Sequence, residues 1–166
     1  MKKALWAFVV VLAGLGAYAA NVLATPAGGQ TTTTLAKSLA ADPVDISGHS
    51  THPAGAWRAR LRTKGLSDFY VIDNKFIPGG TSGWHSHPGP SLIFVVAGQI
   101  TNYLGDDPSC TPHVYSAGQS FTDEGGVNVH MLRNNGTVQA ETIAVQFLPK
   151  GTDRKIDAPD PLTCHF

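Results

Sequence analysis

At 166 residues, with 12 basic and 12 acidic side chains and 42% apolar residues, the chain has room for one domain. Its charge balance is too even to hold nucleic acid or an anionic membrane surface. Lys2 and Lys3 precede an uncharged run, Ala4 to Ala24, that closes on the small-residue pattern Val22-Leu23-Ala24. Residues 1–24 therefore read as a secretory signal peptide. Its removal leaves ten basic against twelve acidic residues, a net charge of −2. The rival reading is an uncleaved N-terminal membrane anchor, since about 20 apolar residues just span a bilayer. The clustered small residues, with no basic cluster behind them, favour cleavage. No lipobox cysteine is present, which argues against a lipoprotein. The expected location is outside the cytoplasm, periplasmic or secreted, with no membrane contact after cleavage.

Residues 25–56 are rich in Thr, Ala, Gly and Pro and read as a flexible lead-in, with a turn or two of helix over 34–41. From Trp57 the pattern changes. Residues 57–63 alternate, with Arg58, Arg60 and Arg62 on one face, as an outer strand with a wet side would. Strand-like runs follow at 68–77, 84–87, 91–104, 113–115, 127–133 and 137–148, separated by Gly, Pro and Asn turns. The pattern predicts an all-β sandwich or small barrel over 57–150, then a tail at 151–166. Cys110 and Cys164 are the only cysteines, and in an exported chain they are expected to pair.

His85-Ser86-His87 is the segment richest in chemistry. In a strand, residues i and i+2 share a face, so the two imidazoles stand side by side. His130 lies in another apolar run, Val127 to Leu132. Three histidines converging inside a barrel make a site for a first-row transition metal. By parity Ser91 faces inward with Ile93 and Val95, which gives a largely apolar pocket wall. Asn128 and Leu132 share the face of His130, and Gln146 lies in phase with Ala144 and Leu148. For Asn128 an outward, solvated position is an equal alternative. Trp84 is expected on the outer face, Tyr70 and Phe76 in the core, His49 and His52 in a loop. His113 is expected to pack on the strand between the histidine segments, and Asn134 to form a turn.

The order Gly79, five residues, His85-Ser86-His87, three residues, Ser91, six residues, Gly98 resembles the first cupin motif. Gly118 through His130, with Asn134 four residues on, resembles the second. The resemblance covers about 68–149 and implies a double-stranded β-helix, or jelly roll, with a metal inside. Two departures stand out. Ser91 occupies the position of the family's glutamate ligand. The second motif has Glu124 where proline is usual, and one residue too many before His130. The chain has only two glutamates, Glu124 and Glu141, and neither is spaced to replace the missing ligand.

What remains is a neutral set of His85, His87 and His130 around a vacant ligand position at Ser91. A divalent ion there would keep its full +2 charge and attract an anionic, chelating small molecule. Three-histidine cupins that lack the carboxylate include thiol and diketone dioxygenases, so the resemblance implies a dioxygenase-like enzyme with iron favoured. Isomerase or lyase chemistry on Mn, Ni or Zn stands behind it, and Cu is a further metal the site could take. The alternative of another class is a non-catalytic module that binds a metal or a small molecule. Resemblance also implies a homodimer. No residue in the sequence identifies itself as the general base.

Overall fold

The computed structural model describes residues 23–50 and 57–166. The expected leader lies outside these residues apart from positions 23 and 24, and His52 lies outside them altogether. Twelve strands occur among the described residues: β1 (Gly28–Leu39), β2 (Asp45–Ser50), β3 (Trp57–Arg62), β4 (Ser67–Thr81), β5 (His85–Ser86), β6 (Ser91–Ala97), β7 (Gln99–Leu104), β8 (His113–Ser116), β9 (Ser120–Asp123), β10 (His130–Arg133), β11 (Ala140–Pro149) and β12 (Ile156–Asp157). Alternation decides which side chains turn inward. In β6, Ser91, Ile93 and Val95 are buried while Leu92, Phe94 and Val96 face outward. In β11 every second residue from Ala140 to Leu148 is buried.

All strands but two join one nearly closed sheet. One wall runs β1-β4-β11-β6-β9, and the other is built from β12, β5, β10, β7 and β8. They meet where Arg133 of β10 pairs with Thr81 at the end of β4. Gly98 lies at a corner. β6 and β7 are consecutive, yet β6 pairs with β11 and β9, whereas β7 pairs with β10 and β8. The backbone turns there with φ +65°, and a Cβ would overlap the carbonyl oxygen of Gln139. The barrel is packed with Ile72, Phe76, Ile93, Val95, Ile100, Phe121 and Leu132, and Tyr70 rests against this cluster. This is the double-stranded β-helix that the sequence implied.

Four expectations need correction. Residues 28–39 are not a lead-in, and 34–41 is not helical. β1 lies along β4 from Gly28↔Thr81 to Leu39↔Asp68. The β-branched run Thr31–Thr34 suits a strand, and the edge of β4 supplies the backbone partners that override the helix propensity of the Ala, Leu and Lys residues after it. The strand beginning at Trp57 does not belong to the barrel. β3 pairs only with β2 as a separate hairpin, where Arg60 and Arg62 meet Asp45 at 3.3 and 3.6 Å. His49 therefore sits on strand β2 rather than in a loop.

The tail is part of the fold. β12 pairs with β5, and Thr25 donates its backbone N–H to Ala158. Cys110 and Cys164 form a disulfide that joins the β7–β8 loop to the C-terminal segment. Trp84, on the outer side of the His85 strand, is buried under this segment with Tyr103, Met131, Ala158 and Cys164.

Candidate metal centre

Pairing brings the histidines together. His130 opens β10 directly opposite His85 on β5, and His87 follows on the same face as His85. All three are buried, and their ring centroids lie 4.5 to 5.6 Å apart. Each uses its Nδ1 on a fixed acceptor. His85 Nδ1–H donates to the Gly83 carbonyl (2.9 Å), His87 to the Arg154 carbonyl (2.6 Å) and His130 to Asn102 Oδ1 (3.0 Å). A carbonyl only accepts, so Nδ1 carries the proton and Nε2 keeps its lone pair. This is how a metal-ligating histidine is normally oriented. The Gln146 amide nitrogen lies 3.2 Å from His87 Nδ1, but that proton is already given to Arg154, and Gln146 donates to Ser91 Oγ at 3.1 Å.

Burial holds the rings neutral. Desolvation is the main cause of a lowered pKa at all three histidines, and takes His130 to about 4. At His85 the neighbouring imidazoles add to the effect. At His87 the hydrogen bond to Arg154 opposes it, and at His130 the charge of Asp123 does. The ligand nitrogens lie within 4.8 Å of one another. Two atoms each about 2.1 Å from one ion are at most about 4.2 Å apart, so an entering ion would draw the set in by a fraction of an ångström. The residues fit a metal on a further observation. His130 Nε2 is fully buried with no hydrogen-bond partner, an expensive arrangement unless something else takes the lone pair.

The cavity beside these nitrogens holds about 110 Å³, room for a few heavy atoms. Ser91, Ile93, Leu132 and Gln146 line it, as do Thr142 and Ala144. Val95 is buried one step deeper, in the apolar cluster. Asn128 is exposed in the turn before β10 and does not reach this cavity. The strand starts only at His130, so parity counted back to residue 128 does not apply. Asn134 does more than turn the chain. It is fully buried, and its side-chain nitrogen donates to the carbonyls of Phe76 and Val138.

The sequence reading missed Asp123, Asn102 and Arg154. Asp123 sits opposite Ser91 on β9, with Oδ2 at 3.9 Å from Nε2 of both His87 and His130. Its shared parity with Phe121 was the available signal. Arg154, in the tail, lines the cavity with its side chain while its carbonyl orients His87.

The cupin domain family matches residues 75–146. Among solved structures, the polyketide cyclase RemF from Streptomyces resistomycificus is 17% identical, with 84% of this chain and 81% of that one covered and a TM-score of 0.51. An oxalate oxidase is 21% identical over 54% of this chain, TM-score 0.46, and a double-stranded β-helix protein from Klebsiella pneumoniae is 18% identical over 71% of this chain and 86% of its own, TM-score 0.46. This chain spans less than half the length of the oxalate oxidase, 46%. No curated protein sequence matches significantly. The paired histidine motifs, the barrel they sit in and the family match agree, and residues 75–146 are a cupin domain.

Proposed function

We propose that this protein is an exported, metal-dependent cupin enzyme acting on a small anionic or chelating organic molecule, with oxygenation on iron as the favoured reaction class. Isomerase or lyase chemistry on Mn, Ni or Zn is the neighbouring possibility within the same reading. The observation that carries it is the set of three neutral imidazoles, each with Nδ1 committed and Nε2 left for an ion, at the wall of a small cavity. A divalent ion held there supplies Lewis acidity and open coordination positions.

The chain's own residues define what enters. Ile93, Leu132 and Ala144 give the wall an apolar strip, but Gln30, Asn74, Ser91, Thr142 and Gln146 make the rest of it polar, so the largely apolar wall expected from strand parity is not met. Arg154 is partly buried beside the cavity, and among the described residues no carboxylate pairs with it. Its one side-chain contact of this kind is to Gln146 Oε1 at 3.3 Å. Burial lowers its pKa, but a guanidinium keeps its charge, so it offers a poorly hydrated cation to an anionic substrate group. Thr142 Oγ1, buried without a partner, is a further polar contact in the cavity. The disulfide supports export, because such bonds persist in oxidising compartments.

Metal analysis combined with an oxygen-uptake screen tests the reading. One bound transition ion and oxygen consumption with a thiol, a 1,2- or 1,3-dicarbonyl or a polyphenol are expected. Tight binding of such molecules without turnover would instead make the protein a carrier or sensor module. Absence of bound metal under non-chelating purification would overturn the metal-dependent enzyme.

A further inference from the structure

We infer that Asp123 is the carboxylate of this centre, a fourth protein ligand delivered from β9 rather than from the first histidine motif. The inference rests on reading His85, His87 and His130 as a metal site.

Three features of the geometry support it. First, Ser91 and Asp123 are direct partners on the antiparallel β6–β9 pair, and residues so opposed share a face. A carboxylate absent at one position is thus present at its cross-strand neighbour. Second, Asp123 Oδ2 stands 3.9 Å from Nε2 of His87 and 3.9 Å from Nε2 of His130, inside the span of about 4.2 Å that one ion permits. Third, that oxygen has no hydrogen-bond partner, although the residue is only 7% exposed. An isolated buried carboxylate costs several kcal/mol or more, and a cation shared with the histidines removes the cost.

The other oxygen is fixed. Gly125 N–H donates to Asp123 Oδ1 at 3.0 Å, which turns Oδ2 toward the imidazoles. Gly125 holds that loop at φ +71°, where a Cβ would overlap the carbonyl oxygen of Gly89, and Gly126 N–H donates to the His87 carbonyl at 2.7 Å. The β9–β10 loop is therefore seated on the segment that follows His87, and the carboxylate and the imidazole are positioned by the same contact.

The consequence is electrostatic. Three imidazoles leave a divalent ion at +2, whereas Asp123 brings the centre to +1 and adds a hard oxygen ligand. That combination suits iron or manganese better than a soft, thiolate-seeking ion. Four protein ligands leave two positions of an octahedral ion for substrate or water.

Co²⁺ is a suitable probe because its visible absorption reports the ligand set. Asp123→Asn keeps the acceptor for Gly125 and removes only the charge. Its expected effect is a Co²⁺ affinity about 100-fold weaker, at the upper end of what outer partners of a ligand cost, together with altered absorption bands. His130→Ala serves as the control for the histidine site. If His130→Ala abolishes Co²⁺ binding while Asp123→Asn binds with unchanged affinity and bands, this inference fails and the histidine site stands. If neither variant changes binding, both fail. Should Asp123→Asn not fold, infrared difference spectra of the wild-type protein with and without Zn²⁺ provide the test. A shift of a carboxylate stretch on Zn²⁺ addition supports the inference, and no shift overturns it.

Discussion

Each imidazole of the centre has one nitrogen committed to the protein, and the acceptors differ in kind. Two are backbone carbonyls that no substitution removes, whereas His130 depends on the Asn102 side chain. Asn102→Leu should therefore free the His130 ring and weaken metal affinity by about 10- to 100-fold; dialysis against a metal buffer measures this. The histidines also set a pH response in the metal-free protein. Their pKa values are lowered in the folded state, to about 4 at His130, against about 6.5 when unfolded. Between those values the unfolded chain binds protons that the folded chain refuses. Stability is thus full above about pH 6.5 and falls as pH drops toward 4, which denaturant titrations at several pH values can follow. A saturating metal should flatten that dependence near neutrality. At this scale the sequence was partly legible. His85 and His87 were visible because an i, i+2 pair needs only local strand geometry. Asp123 was only half visible: parity with Phe121 turns it inward, but its place beside the histidines depends on the register of β9 against β6, which no local pattern encodes. Asn128 misled because the alternation was extended past the real start of β10.

The elements most easily misjudged were those at the chain ends. β1 and β12 carry weak local signals and gain their structure from the partners they pair with, β4 and β5. The tail matters to the site because Arg154 and the disulfide-linked Cys164 belong to one segment. Replacing both cysteines by serine should lower unfolding stability by about 2–4 kcal/mol, since the bridge closes a long loop between residues 110 and 164. The same variant should loosen the carbonyl that holds His87, so its metal affinity should fall even where the protein is still folded. Denaturant unfolding and metal titration of one preparation separate the two effects. In the central strands the signal was strong. β6 and β11 alternate cleanly, and Ile72, at the core-facing centre of β4, is fully buried. Ile72→Ala should cost about 2–5 kcal/mol, read from the denaturation midpoint.

The whole molecule is a barrel whose interior divides into two regions. One end is filled by Ile72, Phe76, Val95, Ile100 and Phe121. The other is left open around three imidazoles and a carboxylate. Fold class followed from many short alternating strands and glycine-rich turns, as sequence alone could show. The seating of tail and first strand on the barrel did not, because those contacts are long-range. If the open end is a metal site, ligand linkage must appear globally. Metal at 100 times its dissociation constant should add about 2.7 kcal/mol to stability and raise the melting temperature accordingly, and a chelator should reverse it. The most direct test of the central claim is elemental analysis of the chain purified without chelators from its own compartment, beside His130→Ala handled identically. One first-row divalent ion per wild-type chain, lost in the variant, is the predicted result. A metal-free wild-type protein, or equal metal content in both, would contradict the account.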